Sequence, residues 1–294
     1  MTVADPAPAN RLLADLVRLL ELDRLEINLF RGESRDIGSP QVFGGQVLGQ
    51  ALAAACGTVE GRAVHSLHAY FLRRGDFNAP IVYEVDRSRD GASFTSRRVV
   101  AIQHGQQIFH MSASFQLPEE GPDHQLPAPQ VALPGELPDL TSSMRRHLED
   151  MPEEGRRYWS LERPFEFRSV EALGDGSPQP GVRHVWFRLA GRCPDDDPVM
   201  QRCLLAYVSD HHLLATATLP HGLSYYLGNV LLASVDHAMW FHRPFRIDEW
   251  HLYALISPSS SGARGLAFGR IFDLQGRLVA STAQEGLMRE RAKT

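Results

Sequence analysis

The segment ASVDHAMWFHRPF at 233–245 sets a chemical problem. Met239, Trp240 and Phe241 suit a buried strand, yet the run opens with the hydroxyl of Ser234, the carboxylate of Asp236 and the imidazole of His237. Polar groups removed from water cost free energy unless they find partners. These three are therefore candidates for chemistry or for mutual satisfaction. Asp236 and His237 are expected to pair with each other and order the strand, because buried polar groups usually satisfy one another. His68 is expected to share that structural duty.

Other residue types that could do chemistry fall short of a motif. The 13 histidines include HSLH at 65–68 and the pair His211 and His212. Neither has zinc spacing with supporting cysteines or an HExxH pattern, so no metal is expected. FGGQVLG is not a GxGxxG fingerprint, and its glycines are expected to allow close helix–strand packing. No GxSxG elbow occurs, which argues against a serine nucleophile of that type. Cys56, Cys193 and Cys203 lack a basic context and read as core residues.

The elements that must position any site follow from periodicity. Leu12, Leu13, Leu16, Leu19 and Leu20 recur at helical spacing over 10–23. A short strand is expected in EINLFRGES. QVFGGQVLGQALAAAC then has high helix propensity and little polar content, which predicts a helix buried nearly all round. HSLHAYFLR, PIVYEVDRSRD, SFTSRRVVAIQ and QIFHMSASFQ read as strands. Residues 117–140, LPEEGPDHQLPAPQVALPGELPDL, are dense in proline and acid and suit an extended linker.

Beyond the linker the pattern restarts. FEFRSVE and VRHVWFRLA read as strands and VMQRCLLAYVSDHHLL as a second helix. ASVDHAMWFHRPF, WHLYALISP, ARGLAFGRIFD and RLVASTAQEG then read as four strands. HAYFLRRGDF at 68–77 matches HAMWFHRPFR at 237–246, and IFHMSASF at 108–115 matches LVASTAQE at 278–285, so the chain holds two copies of one unit. The expected division is 1–116, a linker at 117–140, and 141–294. A mostly apolar helix must be covered, and a curved antiparallel sheet can wrap it. Two such units side by side could join their sheets and hide an edge strand each.

Composition narrows the function. With 294 residues, 43% hydrophobic and 22% charged, the balance is globular, and the net charge of -5 argues against nucleic-acid binding. No apolar run approaches the roughly 20 residues needed to span a bilayer, so no membrane partner is expected. The start, MTVADPAPANR, lacks the pattern of a secretory signal and the end, ERAKT, that of a peroxisomal address. With three cysteines, too few for a disulfide framework, these features give a cytoplasmic expectation.

These segments together resemble the type II acyl-CoA thioesterases of the TesB family. The resemblance runs through LFRG, QVFGGQVLGQAL, HSLHAYFLRRGD, DGASFTSRRVVAIQ and FHMSASFQ. It continues through LAYVSD, PHG, DHAMWFHRPF, ARG and VASTAQEG. It implies an α+β double-hotdog fold, acyl-CoA as substrate, and thioester hydrolysis without metal or organic cofactor. Carried over by motif, the catalytic set is Asp210 in YVSD, Ser234 in ASVDHAMW and Gln284 in TAQEG. Members with Thr at the second place exist, so Ser234 keeps the hydroxyl and loses a methyl.

Hydrolysis needs a nucleophile, a proton acceptor, and donors for the developing oxyanion. Asp210 is expected to act as base, more strongly if burial raises its pKa. Ser234 and Gln284 can each donate and accept, and so hold a water. In the repeat, Ser234 falls opposite His65 and Gln284 opposite Ser114, which predicts one site per chain. A hotdog acyl-CoA hydratase or dehydratase, and a non-catalytic acyl-CoA binder, are the alternatives on this fold. The former would be expected to carry a His with Glu or Asp at the site. Association into a homo-oligomer is also expected. Arg73, Arg74, Arg97, Arg98, Arg243, Arg246 and Arg264 are candidates to meet coenzyme A phosphates.

Overall fold

The computed structural model describes residues 8–172, 176–193 and 197–291. The two chain ends, read above as lacking targeting patterns, therefore lie largely outside the described residues.

Helix α1 (Pro8–Leu20) comes first, followed by the short strands β1 (Asp23–Glu26) and β2 (Leu29–Gly32). Leu13, Leu16, Leu19 and Leu20 of α1 are buried, as the leucine spacing requires. Helix α2 (Gly44–Cys56) is covered along almost its whole circumference, with Gly45 through Leu52 all buried. Around it run β3 (Ala63–Phe71), β4 (Ile81–Asp90), β5 (Phe94–Gln103) and β6 (Gln106–Gln116). Their alternating burial gives each strand one face on the helix.

Residues 117–133 form neither helix nor strand, yet they are pinned to the second unit. Gln125 Nε2 donates to Gly276 O at 2.7 Å, Leu278 N donates back to Gln125 Oε1 at 2.8 Å, and Trp186 Nε1 donates to Ala132 O at 2.9 Å. Two short helices that the periodicity did not predict follow, α3 (Leu140–Arg145) and α4 (Glu153–Ser160). Then come β7 (Phe165–Ser169), β8 (Val182–Leu189) and the second central helix, α5 (Pro198–Ser209). Five strands complete the chain: β9 (Val230–Ser234), β10 (Asp236–Phe241), β11 (His251–Ser261), β12 (Arg264–Asp273) and β13 (Leu278–Glu290).

The strands make one antiparallel sheet in the order β1-β2-β4-β5-β6-β3-β10-β13-β12-β11-β8-β7, with β9 also on β13. The two units meet at β3 and β10, where Leu67 lies opposite Met239 and Ala69 opposite His237. Each unit thus hides one edge strand against the other.

The central helices pack on each other. A Cβ on Gly45 would fall 2.2 Å from Tyr207 O, and one on Gly49 would fall 3.0 Å from Cys203 O. Moving four residues up α2 thus moves four residues down α5, so the helices are antiparallel and the N-terminus of α2 meets the C-terminus of α5. Gly45 and Gly49 of FGGQVLG therefore serve helix–helix contact, correcting the helix–strand expectation for these two, whereas Gly44 lies against Phe71 of β3. The physical reason is that the two units share one core between their helices.

Candidate active site

Asp210 immediately follows α5 and is carried by its last turn to the start of α2. There its carboxylate accepts a hydrogen bond from Gly45 N. Gly44 leaves room for it, since a Cβ there would stand 2.7 Å from Asp210 Oδ2. Gln284 comes from β13, whose alternation turns it inward between Ala283 and Glu285, and it is 1% exposed. Its Nε2 donates to Asp210 Oδ1 at 2.7 Å and to Ser234 Oγ at 3.1 Å. Asp210, Ser234 and Gln284, spread over 75 residues of sequence, thus form one connected cluster.

Ser234 reaches this cluster because ASVDHAMWFHRPF is not one continuous strand. Ser234 pairs with Gly286 and Ala238 with Ala283, so three residues (235–237) stand against two (284 and 285). Such a bulge kinks the strand and re-aims side chains. It lets Ser234 and His237, an odd number of positions apart, both face the interior. The bulge is held by Asp236 Oδ1, which accepts from Glu285 N at 2.6 Å, and by Val235 N donating to Glu285 O at 3.0 Å.

The expected pairing of Asp236 with His237 is therefore corrected. Neighbours on an extended backbone point apart, and Asp236 binds backbone while His237 is fully buried against Ser209, Nε2 to Oγ 3.1 Å. His68 does not share that duty either: it is exposed and packs edge-on against Trp240 at 5.2 Å. The matched letters HAYF and HAMW thus place the two histidines on opposite faces of the sheet.

Burial raises the Asp210 carboxyl above its ordinary range, opposed by the hydrogen bonds from Gln284 and Gly45. Burial also lowers His237 to about 3, so the ring is neutral near pH 7. At the matching place in the first unit, His65 Nε2 and Ser114 Oγ are 2.8 Å apart. Ser114 sits between the buried Ala113 and Phe115 and so lies on the other face from a residue in Gln284's inward position. Among the described residues no group of three or more His, Cys, Asp or Glu is arranged to hold a metal.

The sequence reading did not single out Ser209, Gly44 or Gly45 for this site. GG directly before an apolar helix, with a later helix ending in Ser-Asp, was the available signal. Of the arginines, Arg97 is 2% exposed and binds Asp90 and Thr58, so it serves the core and not a phosphate.

Comparison with known proteins joins this geometry to a family. The acyl-CoA thioesterase model matches residues 156–287 and the acyl-CoA thioesterase N-terminal domain model matches 31–116. Acyl-CoA thioesterase 2 of Haemophilus influenzae is 43% identical over 281 residues, covering 95% of this chain and 98% of that one. The chain belongs to the acyl-CoA thioesterase II family. It is an acyl-CoA thioesterase, a thioester hydrolase. The crystal structure of an acyl-CoA thioesterase II, TesB2, from Mycobacterium marinum is 41% identical with a TM-score of 0.77. That match covers 95% of this chain and 99% of that one. A hotdog-fold protein from Alicyclobacillus acidocaldarius superposes with a TM-score of 0.76 at 18% identity, covering 95% and 99% of the two chains. The thioesterase thus has the double-hotdog architecture the resemblance implied.

Proposed function

We propose that the thioesterase works by direct attack of water on the acyl-CoA carbonyl, with Asp210 as general base and Ser234 and Gln284 holding the water. The supporting observation is the position of the Gln284 amide, which spends one proton on Asp210 Oδ1 and the other on Ser234 Oγ. Ser234 therefore accepts from Gln284 and keeps its own proton to donate. The group touching the Ser234 oxygen is an amide, which cannot take that proton, so the arrangement favours water over Ser234 as nucleophile. Asp210 takes one proton from the water while the water oxygen bonds to the carbonyl carbon. Collapse of the tetrahedral intermediate then breaks the C–S bond, and the proton passes to the departing thiolate. The raised pKa of Asp210 makes it a better acceptor than an ordinary carboxylate.

Asp210→Asn is expected to lower kcat by about 10²–10⁴-fold with folding intact, read by free-thiol release from a series of acyl-CoA chain lengths. Near-parental turnover in that variant, or an acyl group trapped on Ser234 by rapid quench, would sink the mechanism.

The compartment and assembly belong to the same reading. Three cysteines in 294 residues, too few for a disulfide framework, support a reducing, cytoplasmic setting, to be checked by fractionation. No helix among the described residues is long and apolar enough to cross a membrane. Exposed Tyr70, Trp240 and Phe268 on the outer face of the sheet support self-association, to be checked by light scattering.

A further inference from the structure

His237 is fully buried beside the proposed base, and the mechanism above gives it no part. Its protonation can be worked out from its neighbours. The Ser209 hydroxyl has one proton, and Ala206 O stands 2.9 Å away to accept it. The same oxygen lies 3.1 Å from His237 Nε2, and with the hydroxyl proton on Ala206 O the hydrogen of that contact comes from the ring. The ring is neutral near pH 7 and has one N–H to give. In that tautomer Nδ1 carries a lone pair. Among the described residues it has no hydrogen-bond partner, and it faces Asp210 Oδ1 at 3.9 Å.

A lone pair repels a carboxylate and attracts a carboxylic acid. We propose that His237 is a positioning residue for hydrolysis: a neutral ring protonated on Nε2, whose bare Nδ1 accepts a hydrogen bond from Asp210 once Asp210 has taken the proton of the attacking water. The inference rests on Asp210 being the base. An approach of about 1 Å brings the pair to hydrogen-bond length. No net proton is gained: the proton leaves water, rests on Asp210 facing Nδ1, and departs with the thiolate when the C–S bond breaks. His237 thus favours the protonated form of Asp210 and strengthens it as a base.

The surroundings leave this pair to itself. Gln284 on β13 and Gly45 on α2 are neutral donors to Asp210. Tyr253 on β11 donates to Ser209 O at 2.9 Å, and both its hydroxyl and that of Tyr207 on α5 are raised far above the ordinary phenol range. Both therefore stay neutral across the working pH. Ala69 of β3 lies opposite His237 in the sheet. Among the described residues no Lys or Arg forms an ion pair with Asp210, whereas His237 is within ion-pair range.

The test is imidazole ¹⁵N NMR of the whole enzyme together with pH profiles of kcat. The parental His237 should show Nε2–H with bare Nδ1. Ser209→Ala removes the acceptor at Nε2 and lets the ring turn its proton toward Asp210. This should move the acid limb of kcat down by about one pH unit and lower the plateau about tenfold, and Ser209→Thr, which keeps the hydroxyl, should restore both. His237→Asn, which can present an N–H to Asp210, should shift the limb in the same direction. A parental ring carrying its proton on Nδ1, or acid limbs that stay in place in both Ser209→Ala and His237→Asn, overturns the proposal. Asp210→Asn with retained turnover would instead remove the base itself, and the NMR tautomer would still be read independently.

Discussion

Asp210 holds its charge in a place where its hydrogen bonds come only from neutral donors, Gln284 Nε2 and Gly45 N. Its pKa in the folded chain lies above the unfolded value, and the sign of the consequence is fixed. At a pH below the ordinary carboxylate range the group is neutral in both states and burial is cheap. As pH rises through the folded pKa, the buried group must ionise and stability is lost. Asp210→Asn removes that cost. It should raise the thermal midpoint at pH 7 while destroying activity. The gain should vanish toward pH 4, and a pH-independent difference in calorimetry would refute the account. Asp210, Ser234 and Gln284 could be named before the fold was known because each sits in a long family motif. Ser209 was not, and His237 was given the wrong partner, because their relation depends on which atom of each faces the other.

At the scale of elements, the site exists because α2 and α5 approach closely enough for the end of one to touch the start of the other. Gly45→Ala would put a Cβ 2.2 Å from Tyr207 O and 2.4 Å from Phe43 Cε1. A backbone oxygen cannot swing aside, so the helices must part. The expected cost is about 2–3 kcal/mol, with a 10–100-fold loss of kcat/KM because Gly45 N also donates to Asp210. Gly121→Ala, with open space around the new methyl, is the control and should change neither. Equal melting and turnover of the two variants would refute the packing role. The helices and most strands were legible because apolar periodicity reports which face is buried. The bulge between β9 and β10 was not, since it is a mismatch of count against β13, some 50 residues away. Helix α3 did leave a trace: Asp139 caps it, accepting from Ser142 N at 2.7 Å, but the surrounding prolines masked the signal.

The whole molecule is one sheet around one shared core, and its buried imidazoles make that core sensitive to acid. The repeat predicted the joining of sheets, because each unit alone would expose an edge beside an apolar helix. It could not tell which faces the matched histidines take, since letters align without regard to bulges. His211, His237 and His251 are all buried, and burial depresses each: His237 to about 3, His251 to about 4, and His211 well below its usual value. Groups with depressed folded pKa values contribute stability above the unfolded value near 6.5 that is lost as pH falls toward the folded ones. At pH 5 each costs about 2 kcal/mol, so the three together approach the whole stability of an ordinary domain. Asp210 and the half-buried Asp236 work in the opposite direction, but against them stand these three and His212, which burial lowers to about 3. Denaturant unfolding is therefore expected to show stability falling by up to about 4 kcal/mol per pH unit below pH 6. His251→Phe should flatten that fall by about a quarter. The ring site accepts an aromatic, since His251 stacks on Phe187 at 5.5 Å and meets Phe245 edge-on at 5.8 Å. A stability curve that stays level from pH 7.5 to pH 5, or a His251→Phe curve parallel to the parent's, would show that these rings do not set the acid limit.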